Sequence, residues 1–352
     1  MDTSSTRNKL NGTRGTERLL WADGARSLAC IMVVFVHAAS PSLIAMRMSA
    51  GYAAIQALAV ISMAGVPIFA MLTGSLILSR SASPDPVKYS ILKPIKIAAL
   101  IVIWNAVFAL LQSSISSSTF TFWGSLRLAG LGAPNNPTLW YMYQLFGLYL
   151  ILPVIYSFVR NSSALTVALF VALGVTAGFV PFVARVAFDA AIWSPAPLFV
   201  IALWPAYMMA GYLVTRHKEA LAKYTLEIFG MVVLCAVLNF IGNMLTTSPS
   251  RFIHQYENVT TFAMSVGAFF LIAANADRLS RSKALQIAAR EVSAAGLGIY
   301  LIHYPVLVTI RTFIDPVPTH NVIISTAICL TISFAITRAL LLIPYFRKTV
   351  TL

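Results

Sequence analysis

The stretch RSLACIMVVFVHAASPSLIA, residues 26–45, decides the fold. Apart from Arg26 at its start and His37 within, it carries no ionisable side chain except a lone cysteine. Its apolar residues are continuous and do not alternate every second position, which argues against a barrel strand. As a helix it is about 30 Å long, the thickness of a bilayer's hydrocarbon core. Lipid offers the backbone no hydrogen-bond partners, so a spanning segment of this kind satisfies its own N–H and C=O groups as a helix.

Outward from it, nine further runs of similar character fall at about 53–79, 90–112, 138–158, 164–183, 195–215, 225–246, 258–276, 293–311 and 321–343. The bulk composition agrees. Hydrophobic residues make up 59% of the chain and charged ones 10%, and the mean hydropathy is +0.81. A soluble domain carries roughly a quarter charged residues, so this chain cannot cover a water-facing surface. The expected fold is an all-α polytopic membrane protein of about ten transmembrane helices. A polar, basic tail (1–20) precedes a transmembrane domain (21–345), and a short C-terminal tail (346–352) follows it. The run at 53–79 is long for one crossing, which implies a tilt or a late start.

Basic residues test this layout. Eighteen Lys and Arg fall on the side of the N-terminal tail and five on the other, with Arg26 and Arg338 at span edges. That strict alternation predicts both termini in the cytoplasm. The net charge of +14 sits in short loops rather than in one patch, which excludes a nucleic-acid-binding function. The small residues at 37–40 resemble a signal-peptide cleavage site, but the polar leader is long and His37 interrupts the apolar run, so the first span is read as retained. Cys30, Cys235 and Cys329 and the five histidines show no metal-ligand spacing, and no metal is expected.

Ionisable side chains inside the bilayer are costly and mark functional sites. Arg26 and His37, eleven residues apart, fall within about 20° on one helix face and about 16 Å apart in depth. A neutral imidazole is suited to remove a proton near neutral pH. Asp23, three residues before Arg26, can cap the helix start and pair with it. His303 lies in the ninth span at a depth comparable with His37. Asn239 and Asn243, at i, i+4, read as helix–helix glue, and His217, His254 and His320 as ordinary surface residues. The Ser-rich segment 113–137 carries Trp123, Arg127, Asn135 and Asn136, followed by Trp140, Tyr141 and Tyr143. These side chains suit either a sugar or the aromatic belt of a membrane interface.

The run LLWADGARSLACIMVVFVHAASP (19–41), with its Asp-x-x-Arg and Arg-x10-His, resembles the opening of the acyltransferase-3 family of membrane O-acyltransferases. VPIFAMLTGSLIL (66–78), TLWYMYQLFGLYLILPVI (138–155) and LGIYLIHYPVL (297–307) resemble later family segments in the same order. Among the family's branches the chain most resembles the single-domain type that includes enterobacterial-common-antigen O-acetyltransferases. Thr73 stands where the family usually has Ser, and Lys93-Pro94-Ile95-Lys96 where it is often Arg-rich. The resemblance implies an enzyme of the bacterial inner membrane that moves an acyl group, expected to be acetyl, from cytoplasmic acyl-coenzyme A to a hydroxyl of a surface glycan or lipid-linked sugar. It implies His37, Arg26 and Asp23 as catalytic residues. Arg26, Lys93 and Lys96 would meet the coenzyme, and His303, Trp140, Tyr141, Tyr143 and Thr73 the substrate. Acetyl-coenzyme A is then a donor substrate, and no resident cofactor is expected. The competing reading is a flippase or polysaccharide exporter, against which stands the lack of carboxylates inside the spans for ion coupling.

Overall fold

The computed structural model describes residues 20–45, 50–81, 85, 87–115, 121, 123–124, 127, 136–188, 196–245, 256–275 and 281–351. The basic residues of the N-terminal tail before residue 20, with Arg47, Asn135, Arg251, His254 and Arg278, lie outside them. Among the described residues there are helices and no strand. In chain order the helices are α1 (Leu20–Ala45), α2 (Ala50–Ser62), α3 (Gly65–Ile77), α4 (Lys93–Ile115), α5 (Trp140–Asn161), α6 (Ala164–Phe188), α7 (Ala196–Arg216), α8 (Lys218–Ala222), α9 (Thr225–Leu245), α10 (Val259–Ala274), α11 (Lys283–Ile310), α12 (Thr319–Leu342) and α13 (Pro344–Arg347). A π-helical turn, Lys88–Leu92, leads into α4, and a 3₁₀ turn, Pro137–Leu139, into α5. Among the described residues each apolar run read from the sequence falls mainly on one helix, apart from the second, which spans two. Among the described residues seven segments, with Gly51–Ile77 taken as one, are long and apolar enough to cross a membrane. The protein is an all-α polytopic membrane protein.

The long second run is two helices. The chain turns at Met63 and Ala64 between α2 and α3. Pro67 supplies the reason: it lacks an N–H and its ring crowds the carbonyl four residues back, at Met63. Gly65, just past the break, lies so close to α1 that a Cβ there would stand 3.1 Å from the Ala29 carbonyl oxygen.

α1 is the hub, packed by α2, α3, α10, α11 and α12. Its longest partner is α11. Arg26 meets Ser293, Cys30 meets Gly296 and His37 meets His303, so the pairs advance together and the two helices are parallel. Parallel first and ninth spans are what seven intervening crossings, an odd number, require in the ten-span layout. α3 and α7 cross with their backbones in contact. A Cβ on Gly74 would stand 1.8 Å from the Met208 carbonyl oxygen, and one on Gly211 2.2 Å from that of Met71. Small residues at such crossings replace the hydrophobic drive that lipid removes. Asn239 accepts from Asn258 at 3.0 Å and from Thr260, and donates to Thr261 at 3.3 Å, which joins α9 to the start of α10 as glue.

Candidate active site

Two of the cavities that open against α1 lie at opposite halves of its length. The first lies at the Arg26 end and holds about 460 Å³. Arg26 is set there by a small network: its Nη1 donates to Ser293 Oγ at 2.7 Å, and Ser293 Oγ donates to Asp23 Oδ1 at 2.6 Å. Arg26 and Asp23 themselves are 3.7 Å apart. Asp23 is only 3% exposed. A buried carboxylate is tolerable when paired and hydrogen-bonded, and the first turns of α1 add a favourable dipole. Asp23 thus serves as an interhelical anchor joining α1 to α11.

Arg80 and Lys93 face the same cavity, and none of its described lining residues is acidic. Arg80 donates to the Tyr89 hydroxyl at 2.7 Å. The Lys93 ammonium lies 5.3 Å from the Tyr149 ring centre and 5.7 Å from that of Tyr89. Tyr89 belongs to the π-helical turn, a geometry found frequently at functional sites. Pro153 removes the helical N–H partner of the Tyr149 carbonyl, and Ser90 Oγ, 3.4 Å away, faces that oxygen instead. Thr73 is on the wall, its hydroxyl donating to Phe69 O at 2.9 Å. The C-terminal tail also reaches this cavity. Trp104 Nε1 donates to Thr349 O at 2.9 Å, Val350 is buried, and Val350 and Thr351 line the opening.

The second cavity, of about 840 Å³, is lined by His37, Ser40, Gln144, Glu257 and Arg311 among an aromatic set of Trp140, Trp204, Tyr256 and Tyr304. Trp140 stacks on Tyr256 with ring centres 5.3 Å apart, and Trp204 sits 5.6 Å from Trp140. Pro41 lies four residues after His37, so the His37 carbonyl has no helical donor. Arg311 Nη2 donates to it at 2.7 Å, and the guanidinium sits 5.9 Å from the Tyr304 ring centre. One proline and one arginine therefore hold the backbone that carries the imidazole.

His303 is fully buried, its ring centre 5.3 Å from that of His37. Its Nδ1 faces the carbonyls of Tyr300 at 2.6 Å and Ile299 at 3.2 Å. Carbonyls only accept, so Nδ1 carries the proton and Nε2 presents a lone pair, which meets no partner among the described residues. Tyr141 and Tyr300 stand between the cavities, 6.2 Å apart, and Tyr300 donates its hydroxyl to Thr138 O. Consecutive residues Trp140 and Tyr141 face different cavities, one each.

The structure therefore puts Arg26, Lys93, Thr73 and Tyr141 at one cavity and His37 and Trp140 at the other. His303 lies behind His37 and lines neither. Tyr143, two residues beyond Tyr141 and so on another face of α5, lines neither, and the same holds for Lys96, almost a turn past Lys93. Asn136, one of the side chains that suited either a sugar or a membrane interface, is fully buried and accepts from Thr138 N at 3.0 Å, capping the 3₁₀ turn. Sequence reasoning missed Arg80, Tyr89, Ser293, Trp204, Tyr256, Glu257, Tyr304 and Arg311. Pro41, exposing a carbonyl beside His37, was the one available pointer to Arg311.

Compared with known families, residues 19–338 match the Acyltransferase domain. The chain belongs to the acyltransferase-3 family. It is a membrane acyltransferase. No curated protein and no solved structure matches it. The first-helix residues by which the chain resembles other acyltransferase-3 proteins are thus split by depth, Arg26 opening to a basic cavity and His37 to an aromatic one.

Proposed function

We propose that this acyltransferase moves an acetyl group from cytoplasmic acetyl-coenzyme A to a hydroxyl of a surface glycan or lipid-linked sugar, across the inner membrane of a bacterium. In this reading the chain crosses ten times, with both termini in the cytoplasm. The carrying observation is the pair of cavities at opposite halves of α1, one ringed by Arg26, Arg80 and Lys93, the other by His37 and aromatic rings.

The cationic cavity suits the phosphates of the coenzyme, which pair well with guanidinium and ammonium groups. Lys96 adds charge nearby. The thioester arm extends past Tyr141 and Tyr300 toward His37. The aromatic cavity suits the apolar faces of a sugar, with Gln144, Glu257 and Arg311 for its hydroxyls. His37 removes the proton from the acceptor hydroxyl as that oxygen attacks the thioester carbonyl. The carbon–sulfur bond breaks, and the coenzyme leaves as a thiolate that takes up a proton. The same imidazole can act first as nucleophile, forming an acyl-imidazole that the acceptor then opens. His303, its proton fixed on Nδ1, backs His37 with a lone pair. Mass spectrometry of the surface glycan from a deletion strain tests the reading. Loss of acetyl substituents is expected, and an unchanged glycan refutes it.

A further inference from the structure

A third opening lies at the Arg26 end of the bundle, on the other flank of α3. It holds about 460 Å³ and is lined by Ser75, Ser79, Arg160, Tyr212, Thr215 and Arg216, and Leu76 forms part of both its wall and that of the Arg26 cavity. Arg160 lies in the last turn of α5 and Arg216 ends α7. A helix dipole favours a cation at each terminus separately. It does not account for two guanidinium groups on one opening without a carboxylate among its described lining residues. Such like charges repel unless an anion lies between them.

The hydroxyls divide into two kinds. Thr215 spends its own on the carbonyls of Gly211 and Tyr212, at 2.9 and 3.1 Å. Ser75 is only 4% exposed and makes no hydrogen bond among the described residues, yet it lines the opening. Arg216 is steadied by donating to the Tyr212 hydroxyl one turn back, whereas Arg160 has no ion pair among the described residues. An anchored guanidinium, an open one and a buried idle hydroxyl form a donor set for tetrahedral oxyanions.

We propose that this opening binds a phosphate group. Two sources supply that chemistry at this end of the protein. One is the ribose 3′-phosphate of a coenzyme A molecule whose remainder occupies the adjoining Arg26 cavity, an arm that rests on the donor reading above. The other is the headgroup of an anionic phospholipid, which does not.

The test compares wild type with an Arg160→Gln/Arg216→Gln double variant and with Ser75→Ala, all in nanodiscs and matched in thermal stability. Calorimetry measures binding of coenzyme A and of its 3′-dephospho form. Native mass spectrometry measures retention of phosphatidylglycerol against phosphatidylcholine. For the nucleotide source, wild type prefers coenzyme A over the dephospho form by about tenfold or more, and the double variant loses that preference. For the lipid source, phosphatidylglycerol retention falls in the double variant while the nucleotide preference stays as in wild type. Ser75→Ala moves in the same direction by a smaller factor. A double variant that equals wild type in both measurements overturns the proposal. Wild type that binds no coenzyme A refutes the donor reading instead, and lipid retention still decides the phosphate site.

Discussion

Arg311→Met separates the role of the guanidinium at the His37 cavity from simple packing. Arg311 Nη2 is 2.7 Å from the His37 carbonyl, which Pro41 has deprived of its helical donor. A hydrogen bond from a charged donor contributes about 1.5–3 kcal/mol. Arg311 is partly buried at the cavity, and partial solvent screening brings the expected loss to about 1–2 kcal/mol. Methionine keeps the length of the side chain and its packing on Tyr304 but offers no donor. Pro41→Ala provides the control, because the new N–H can bond the same carbonyl within α1. In that background Arg311→Met should cost under about 0.5 kcal/mol, a coupling of about 1 kcal/mol between neighbouring sites. Reversible unfolding in mixed detergent micelles, followed by tryptophan fluorescence, gives all four corners of the cycle. Equal costs of Arg311→Met in both backgrounds would refute the assignment of Arg311 to that carbonyl.

Three further outcomes follow from the structure. Gly74→Ala should push α3 from α7, since its Cβ would stand 1.8 Å from the Met208 carbonyl oxygen; a loss of about 1–3 kcal/mol is expected in the same unfolding assay, and a neutral result would contradict the crossing. Arg26→Ala should raise the KM for acetyl-coenzyme A about ten- to hundredfold, with Ser293→Ala giving a smaller rise because it only loosens Arg26; an unchanged coenzyme affinity in Arg26→Ala would leave that arginine as a helix anchor. Reporter fusions after Arg127 and Asp315 should read extracytoplasmic and one after Lys223 cytoplasmic; a reversed signal at any of them breaks the ten-crossing layout.

The helices were legible because lipid leaves the backbone no other partner, so each spanning stretch must be apolar and continuous. The break at Met63 was legible in principle from Pro67, although length alone suggested a tilt. Asp23 and Arg26 could be paired from their spacing. Their common partner Ser293, 270 residues from Asp23, could not, because nothing local specifies which helix lies alongside α1. Arg26 and His37 were read as sharing a face, and both do meet α11. The spacing was silent on the tyrosines that part the two cavities, since Tyr141 and Tyr300 come from α5 and α11. Arg311 was counted only as a charge on the sparser side, for its function depends on a carbonyl freed in another helix. Trp204 and Tyr256 reach the aromatic cavity from α7 and the approach to α10, a convergence that only tertiary packing creates.

The most direct test of the account is the rate of acetyl transfer by a His37→Ala protein. The residue lines an open cavity, and a buried polar side chain that only joined membrane helices is worth about 0.6 kcal/mol, so insertion and folding should persist. Transfer to the glycan, measured with labelled acetyl-coenzyme A, should fall at least about a hundredfold, the scale for loss of a general base. A His37→Ala protein that is well folded and still acetylates its acceptor at near the wild-type rate would contradict the account.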